Sequence, residues 1–106
     1  MATSTEIPVA IEPEAAELIA ELGLEATLQA ILAHCRREVP RLRRIEVTYS
    51  IKHEDPDNPT VIVYCVVEPT VARVLEVDDA LADWFLVGHP PEVVQHILVT
   101  AVHDHS

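Results

Sequence analysis

The sequence predicts an α+β fold: an N-terminal helical pair packed on a small, mainly antiparallel sheet, with one further helix. Three observations carry this. Apolar residues recur at helical spacing from residue 13 to residue 38, residues 45–52 alternate strictly between apolar and polar, and residues 61–67 are apolar without interruption. The first pattern marks an amphipathic helix, the second a half-buried strand, and the third a central strand enclosed on both faces. With 106 residues, 49% of them apolar, the chain has material for one core and no room for a second. The expected organisation is one domain over residues 1–106, with residues 1–5 as a loose polar tail.

Taken in order, Ile7, Val9 and Ile11 alternate with Pro8, Ala10 and Glu12, which suits a short edge strand, where proline is tolerated. Pro13 and Glu14 suit a first helical turn, since proline there loses no hydrogen bond and a carboxylate meets the positive end of the helix dipole. Ala15, Leu18, Ile19 and Leu22 form one apolar stripe; Leu24, Leu28, Ile31, Leu32 and Cys35 form another. Gly23 lies between them and is expected to end a first helix, although one kinked helix is the alternative. Pro40 stops the second helix near Glu38 by forcing Val39 out of the helical region.

Ile45, Val47, Tyr49 and Ile51 then share one face of a strand over 45–52. His53 to Thr60 contains two prolines and is expected to be a polar connecting loop. The run 61–67 completes the hairpin. Asp78 or Asp79 is placed to cap a helix through Val87, with Leu81, Trp84 and Phe85 inward and Gly88 as its stop. Pro90 and Pro91 open a short turn of helix. Ile97, Val99, Thr100 and Val102 prefer strand, so a third strand over 97–103 is favoured over a helix continuing from Pro91.

Composition excludes several function classes. Two glycines, Gly23 and Gly88, cannot build a phosphate-cradling loop. Residues 36–44 carry a net charge of +4 on a chain of net −11, so binding to nucleic acid would have to overcome the acidic remainder, and no aromatic platform lies near the basic window. Read as a helix-turn-helix, the pair would present Glu25 to the bases and its arginines at the wrong end. No apolar run reaches the length of a membrane span. The first ten residues lack a basic segment and a continuous apolar stretch, so no signal peptide is expected and a cytoplasmic location is.

The basic window itself, Arg36, Arg37, Arg41, Arg43 and Arg44, is the first candidate site. Guanidinium forks match phosphate or a carboxylate-rich partner surface; pairing with the chain's own carboxylates is the competing reading. Cys35 and Cys65 each sit in an apolar run and are expected to be buried free thiols, with a disulfide open to them only if their Cα atoms come within reach. His96, His103 and His105 have metal-ligand chemistry, but no pairing spacing such as HExxH accompanies them, and no metal or other cofactor is expected. The stretch Glu54, Asp55, Asp57 and Asn58 lacks the central glycine and distant glutamate of a calcium loop. Histidine and acid occur together at His53-Glu54-Asp55 and at the C-terminal end, but neither has a positioned nucleophile near it and no nucleophile-elbow glycines are present.

The expected function is therefore a non-catalytic, homo-oligomeric protein–protein interaction or regulatory module. Its acidity would let it engage a basic partner, as an inhibitor or antitoxin-like protein does. Trp84 and Phe85 are adjacent, point about 100° apart on a helix, and are expected near a homodimer interface. The alternative is a small-molecule or metal-binding domain, or a minor enzyme, with histidines or arginines in a cleft. A deep pocket holding two or more of His34, His89, His96 and Arg73 would mark it.

Overall fold

A computed structural model describes residues 7–52 and 55–104, without the side chains of 52 and 55–58. The expected tail and His105 lie outside the described residues. The fold is α+β. In chain order the elements are β1 (Val9–Ile11), α1 (Pro13–Leu22), α2 (Glu25–Glu38), β2 (Leu42–Lys52), β3 (Asp55–Val67), α3 (Val74–Gly88), α4 (Pro91–Val94) and β4 (Ile97–His103).

The helical pair forms as two helices, not one kinked one. Gly23 adopts φ +68° just past α1. Its N–H reaches the Ala20 carbonyl, and the Leu24 N–H reaches that of Ile19. This is the Schellman closure, which needs a left-handed residue and therefore favours glycine. Pro13 opens α1 as its spacing implies.

The four strands lie in the order β1-β2-β3-β4. The β2–β3 hairpin is antiparallel, while β1 runs parallel to β2 and β4 parallel to β3. The sheet is thus mixed, and the expectation of a mainly antiparallel one is corrected. The reason is connectivity: α1 and α2 carry the chain from β1 back to β2, and α3 and α4 carry it from β3 to β4. Each helical return brings the next strand in parallel.

The expected loop at 53–60 is also shorter than read. β3 already begins at Asp55, and the ladder passes from Ser50↔Thr60 to Lys52↔Asp55. The residues between 55 and 60, both prolines among them, are extra on the β3 side. A bulge is where a strand can hold residues that donate no ladder bond.

All four helices pack on one face of the sheet. A single cluster joins Ala15, Ile19, Ile31, Leu32, Leu81, Phe85 and Val93 from the helices to Ile45, Val47, Val61, Val63, Cys65, Val67, Ile97 and Val99 from the strands. The alternate strand residues, Ile62, Tyr64, Val66, Leu98 and Val102, do not belong to it. β3 is central, as its apolar run implies, but no described helix covers its second face.

The helix expected over 78–87 begins one turn earlier, at Val74. Asp78 is consequently not its cap. Its Oδ1 instead accepts hydrogen bonds from the Thr100 hydroxyl (2.6 Å) and the Ala101 N–H (3.0 Å). Asp78 so occupies an outer-edge donor of β4, a position that would otherwise invite another strand.

Candidate binding site

A groove of about 390 Å³ lies between α2 and α3, within the size range of small-ligand and side-chain pockets. Val39, Val77, Ala80 and Leu81 supply its apolar lining, Glu38 and Glu76 its carboxylates, and His34 and Trp84 its aromatic surface. Helical spacing explains the α3 side: Val77, Ala80, Leu81 and Trp84 stand at i, i+3, i+4 and i+7, on one face. On α2, His34 and Glu38 stand one turn apart.

Trp84 lies flat on His34, with ring centroids 3.6 Å apart and planes 4° from parallel. His89, at the C-cap of α3, meets Trp84 in a T-shaped contact at 5.4 Å. The His89 ring is itself within 2.9 Å of the Phe85 carbonyl through Nδ1, a donor placed where a helix C-terminus needs one. Burial, then the neighbouring Arg37 charge, pushes the His34 pKa below the ordinary histidine value, with Glu38 opposing. His34 is therefore neutral at neutral pH. The two groove carboxylates have only exposed partners. Glu38 meets Arg37 at 3.2 Å and Glu76 meets Arg73 at 3.4 Å, and such pairs are worth ~0–1 kcal/mol.

Trp84 and Phe85 are expected near a homodimer interface, pointing about 100° apart so that one can face the core. Phe85 is in the core; Trp84 is half-buried and occupied by His34. More exposed apolar side chains lie elsewhere, at Leu75, Leu86 and Val87 on α3 and at Leu98 on β4. Glu76 and Val77 escaped notice as site residues because α3 was expected to start after them. The stacking of His34 on Trp84 joins residues fifty positions apart, and nothing in one sequence signals that.

The arginine window does not form one anion site. Arg43 and Arg44 both reach Asp104 Oδ2 at 3.1 Å, and Arg44 also meets Glu46 at 2.6 Å. A register shift between Leu42 and Arg44 lets two successive residues aim at one carboxylate, which a regular strand would send to opposite faces. Arg41 approaches Glu68 at 3.8 Å. Arg36 and Arg37 stay exposed in the last turn of α2, where positive charge offsets the dipole. Four of the five thus engage carboxylates of their own chain.

The histidines also disperse. His96 precedes β4 and His103 ends it, roughly 20 Å apart at strand rise, so they cannot share an ion. The His103 Nε2 is 2.6 Å from the Val71 carbonyl. No group of three or more His, Cys, Asp or Glu side chains converges among the described residues. The groove contains His34 but not His89, His96 or Arg73 in its lining, short of what a catalytic or metal cleft was expected to gather.

Cys35 and Cys65 are both free and fully buried. They meet across the α2–β3 interface in hydrogen-bonding contact, which lowers the pKa of Cys35 against its burial and, together with burial, pushes that of Cys65 well up. No helix of the described residues is long and apolar enough to cross a membrane. Comparison with protein-family models, with curated proteins and with solved structures finds no match to this chain.

Proposed function

We propose that this protein is a non-catalytic interaction module whose α2–α3 groove receives a basic, partly apolar segment of a protein partner. The observation that carries this is the groove itself: an apolar floor, an indole, and two carboxylates held only by weak surface pairs. An arginine or lysine side chain lays its methylene stem on Val39, Val77 and Ala80 while its charge displaces Arg37 or Arg73 from Glu38 or Glu76. Trp84 adds attraction for a cation near its ring. A net charge of −11 draws basic partners toward the whole molecule and speeds encounter.

Trp84 is the only tryptophan, so its fluorescence reports the groove. Titration with a peptide of alternating arginine and leucine is expected to give a saturable emission change, weakened by salt. A glutamate–leucine peptide is expected to give none. The double variant Glu38→Gln/Glu76→Gln should lose most of the response. An equal response to the acidic peptide, or an unchanged response in the double variant, would refute the reading. Neutral His34 suits a cationic guest. Acidification through its lowered pKa places a positive charge in the groove and weakens binding, and His34→Gln should flatten that part of the pH profile.

A further inference from the structure

We infer that Cys35 and Cys65 are a redox pair, which hydrogen peroxide closes into a disulfide between α2 and β3 and a dithiol reopens. The support is their placement. They are the chain's two cysteines, thirty positions apart, and folding brings both into one core cluster, fully shielded from solvent. There they face each other in hydrogen-bonding contact, among buried residues that are otherwise aliphatic save Phe85. No third thiol competes for either sulfur. Only the step from contact to a bond of about 2.05 Å remains. Cys65 is held in β3, with Ile45 of β2 on one side and Ala101 of β4 on the other. Cys35 lies near the end of α2, and a helix shift of ~1–2 Å is an ordinary movement in proteins. The closure therefore falls to α2.

The contact also sets the order of events. It favours the thiolate of Cys35, against burial, and holds the proton on Cys65. Cys35 Sγ attacks one oxygen of the peroxide. The O–O bond breaks, and the departing hydroxide leaves as water with the thiol proton. Cys35 is then a sulfenic acid, which condenses with a neighbouring thiol. Cys65 Sγ attacks the Cys35 sulfur, the S–O bond breaks, and the hydroxyl leaves as a second water with the Cys65 proton. The two thiols have given two electrons to the peroxide, and a disulfide and two waters result. Hydrogen peroxide is small and uncharged, so it reaches a closed core that a bulkier disulfide reagent enters only on opening. A dithiol reverses the step by two thiol–disulfide exchanges. The bond has a reporter. His34 precedes Cys35 in α2, and its ring lies 3.6 Å from that of Trp84, the only tryptophan. Movement of α2 toward β3 disturbs that stack.

The test uses the full chain, reduced, freed of reductant, treated with hydrogen peroxide in native buffer and then unfolded in N-ethylmaleimide. The expected product takes up no maleimide, is lighter than the reduced protein by two hydrogens, and yields one peptide pair joining Cys35 to Cys65. An internal link restricts the unfolded chain, so the oxidised form should have a higher urea midpoint. Its Trp84 emission should differ, and dithiothreitol should reverse both changes. Cys65→Ala should stop at a sulfenic acid that dimedone traps on Cys35, and Cys35→Ala should react more slowly, having lost the attacking sulfur. If both variants fail to fold, the wild-type mass and midpoint decide alone. Two thiols retained in the folded protein, a disulfide only between chains, sulfinic acid in place of the link, or a link that forms only in urea would overturn the inference. So would a lower midpoint on oxidation, since the native sulfurs would then not suit a bond. The groove reading stands or falls separately, because its peptide titrations are made on the reduced protein.

Discussion

Neighbouring residues of β3 live in different surroundings. Val61, Val63, Cys65 and Val67 are shut off from solvent under the helices, while Ile62 and Tyr64 on the other side are only half-buried. Val66 is the instructive exception. It is 4% exposed yet stands outside the helical core cluster, in register with Arg44 and Val102. One side of this strand is closed by apolar helix packing. The other is closed locally, at the end where two arginines gather on Asp104, and open elsewhere. Hydrophobicity along the chain reports which residues prefer to leave water, and it does not say whether helix, ion pair or partner removes them.

The contrast is broken most directly by placing a charge on each side. Val63→Asp puts a carboxylate in the closed core, where an unpaired charge costs several kcal/mol against a total stability of about 5–15 kcal/mol. The expected outcome is loss of cooperative unfolding in a urea melt. Leu98→Glu, on the open side, should unfold near the wild-type midpoint once compared at equal oligomeric state. A folded Val63→Asp protein would mean that the two sides are alike.

The cysteine pair probes the closed side more gently. Cys35→Ala and Cys65→Ala should each cost about 1–2 kcal/mol, as truncation of a small buried side chain does. Neither thiol of the native protein should react with a disulfide reagent faster than global or local opening permits. Rapid labelling at neutral pH would show that the α2–β3 contact opens easily.

These faces were only partly legible in the sequence. Helical spacing located α1 and α2, with Gly23 between them, because capping and periodicity are local properties. β-branched content located β4 over Ile97–His103 for the same reason. The direction of β1 and β4 was not legible, since it depends on where helices return the chain. The start of α3 was missed because Asp78 resembles a cap, and its true partner, β4, is more than twenty residues away. The groove is hidden for a like reason: His34 and Trp84 meet only after two helices dock. The arginines were visible as a cluster, but Asp104, the acceptor shared by Arg43 and Arg44, is about sixty residues away and meets them only when the sheet has formed.

Asp104 sharpens the comparison on the outer side. Its side chain is 3% exposed and serves two guanidiniums. Asp104→Asn keeps the shape and removes the charge. The arginines remain partly exposed and can be rehydrated, so the cost is about 1 kcal/mol rather than that of a deeply buried pair. Chemical denaturation with an unchanged slope is the measurement. A loss as large as that of Val63→Asp would make this end a second core.

The smallest effect concerns the turn that feeds β2 and fixes which of its residues face inward. Arg41 holds φ +53°, and its carbonyl accepts the Glu68 N–H at 3.1 Å. A left-handed conformation costs a residue bearing a β-carbon roughly 1–2 kcal/mol, and glycine escapes that cost. Against this, Arg41→Gly loosens the unfolded chain and removes the exposed contact to Glu68 at 3.8 Å, worth little. The balance favours the variant by under about 1 kcal/mol, seen as a small rise in the urea midpoint. Arg41→Val should move the other way, since a β-branched side chain fits this conformation worst. If glycine destabilises and valine does not, the turn is not left-handed in solution. The bulge two residues on, and with it the joint aim of Arg43 and Arg44 at Asp104, would then need another origin.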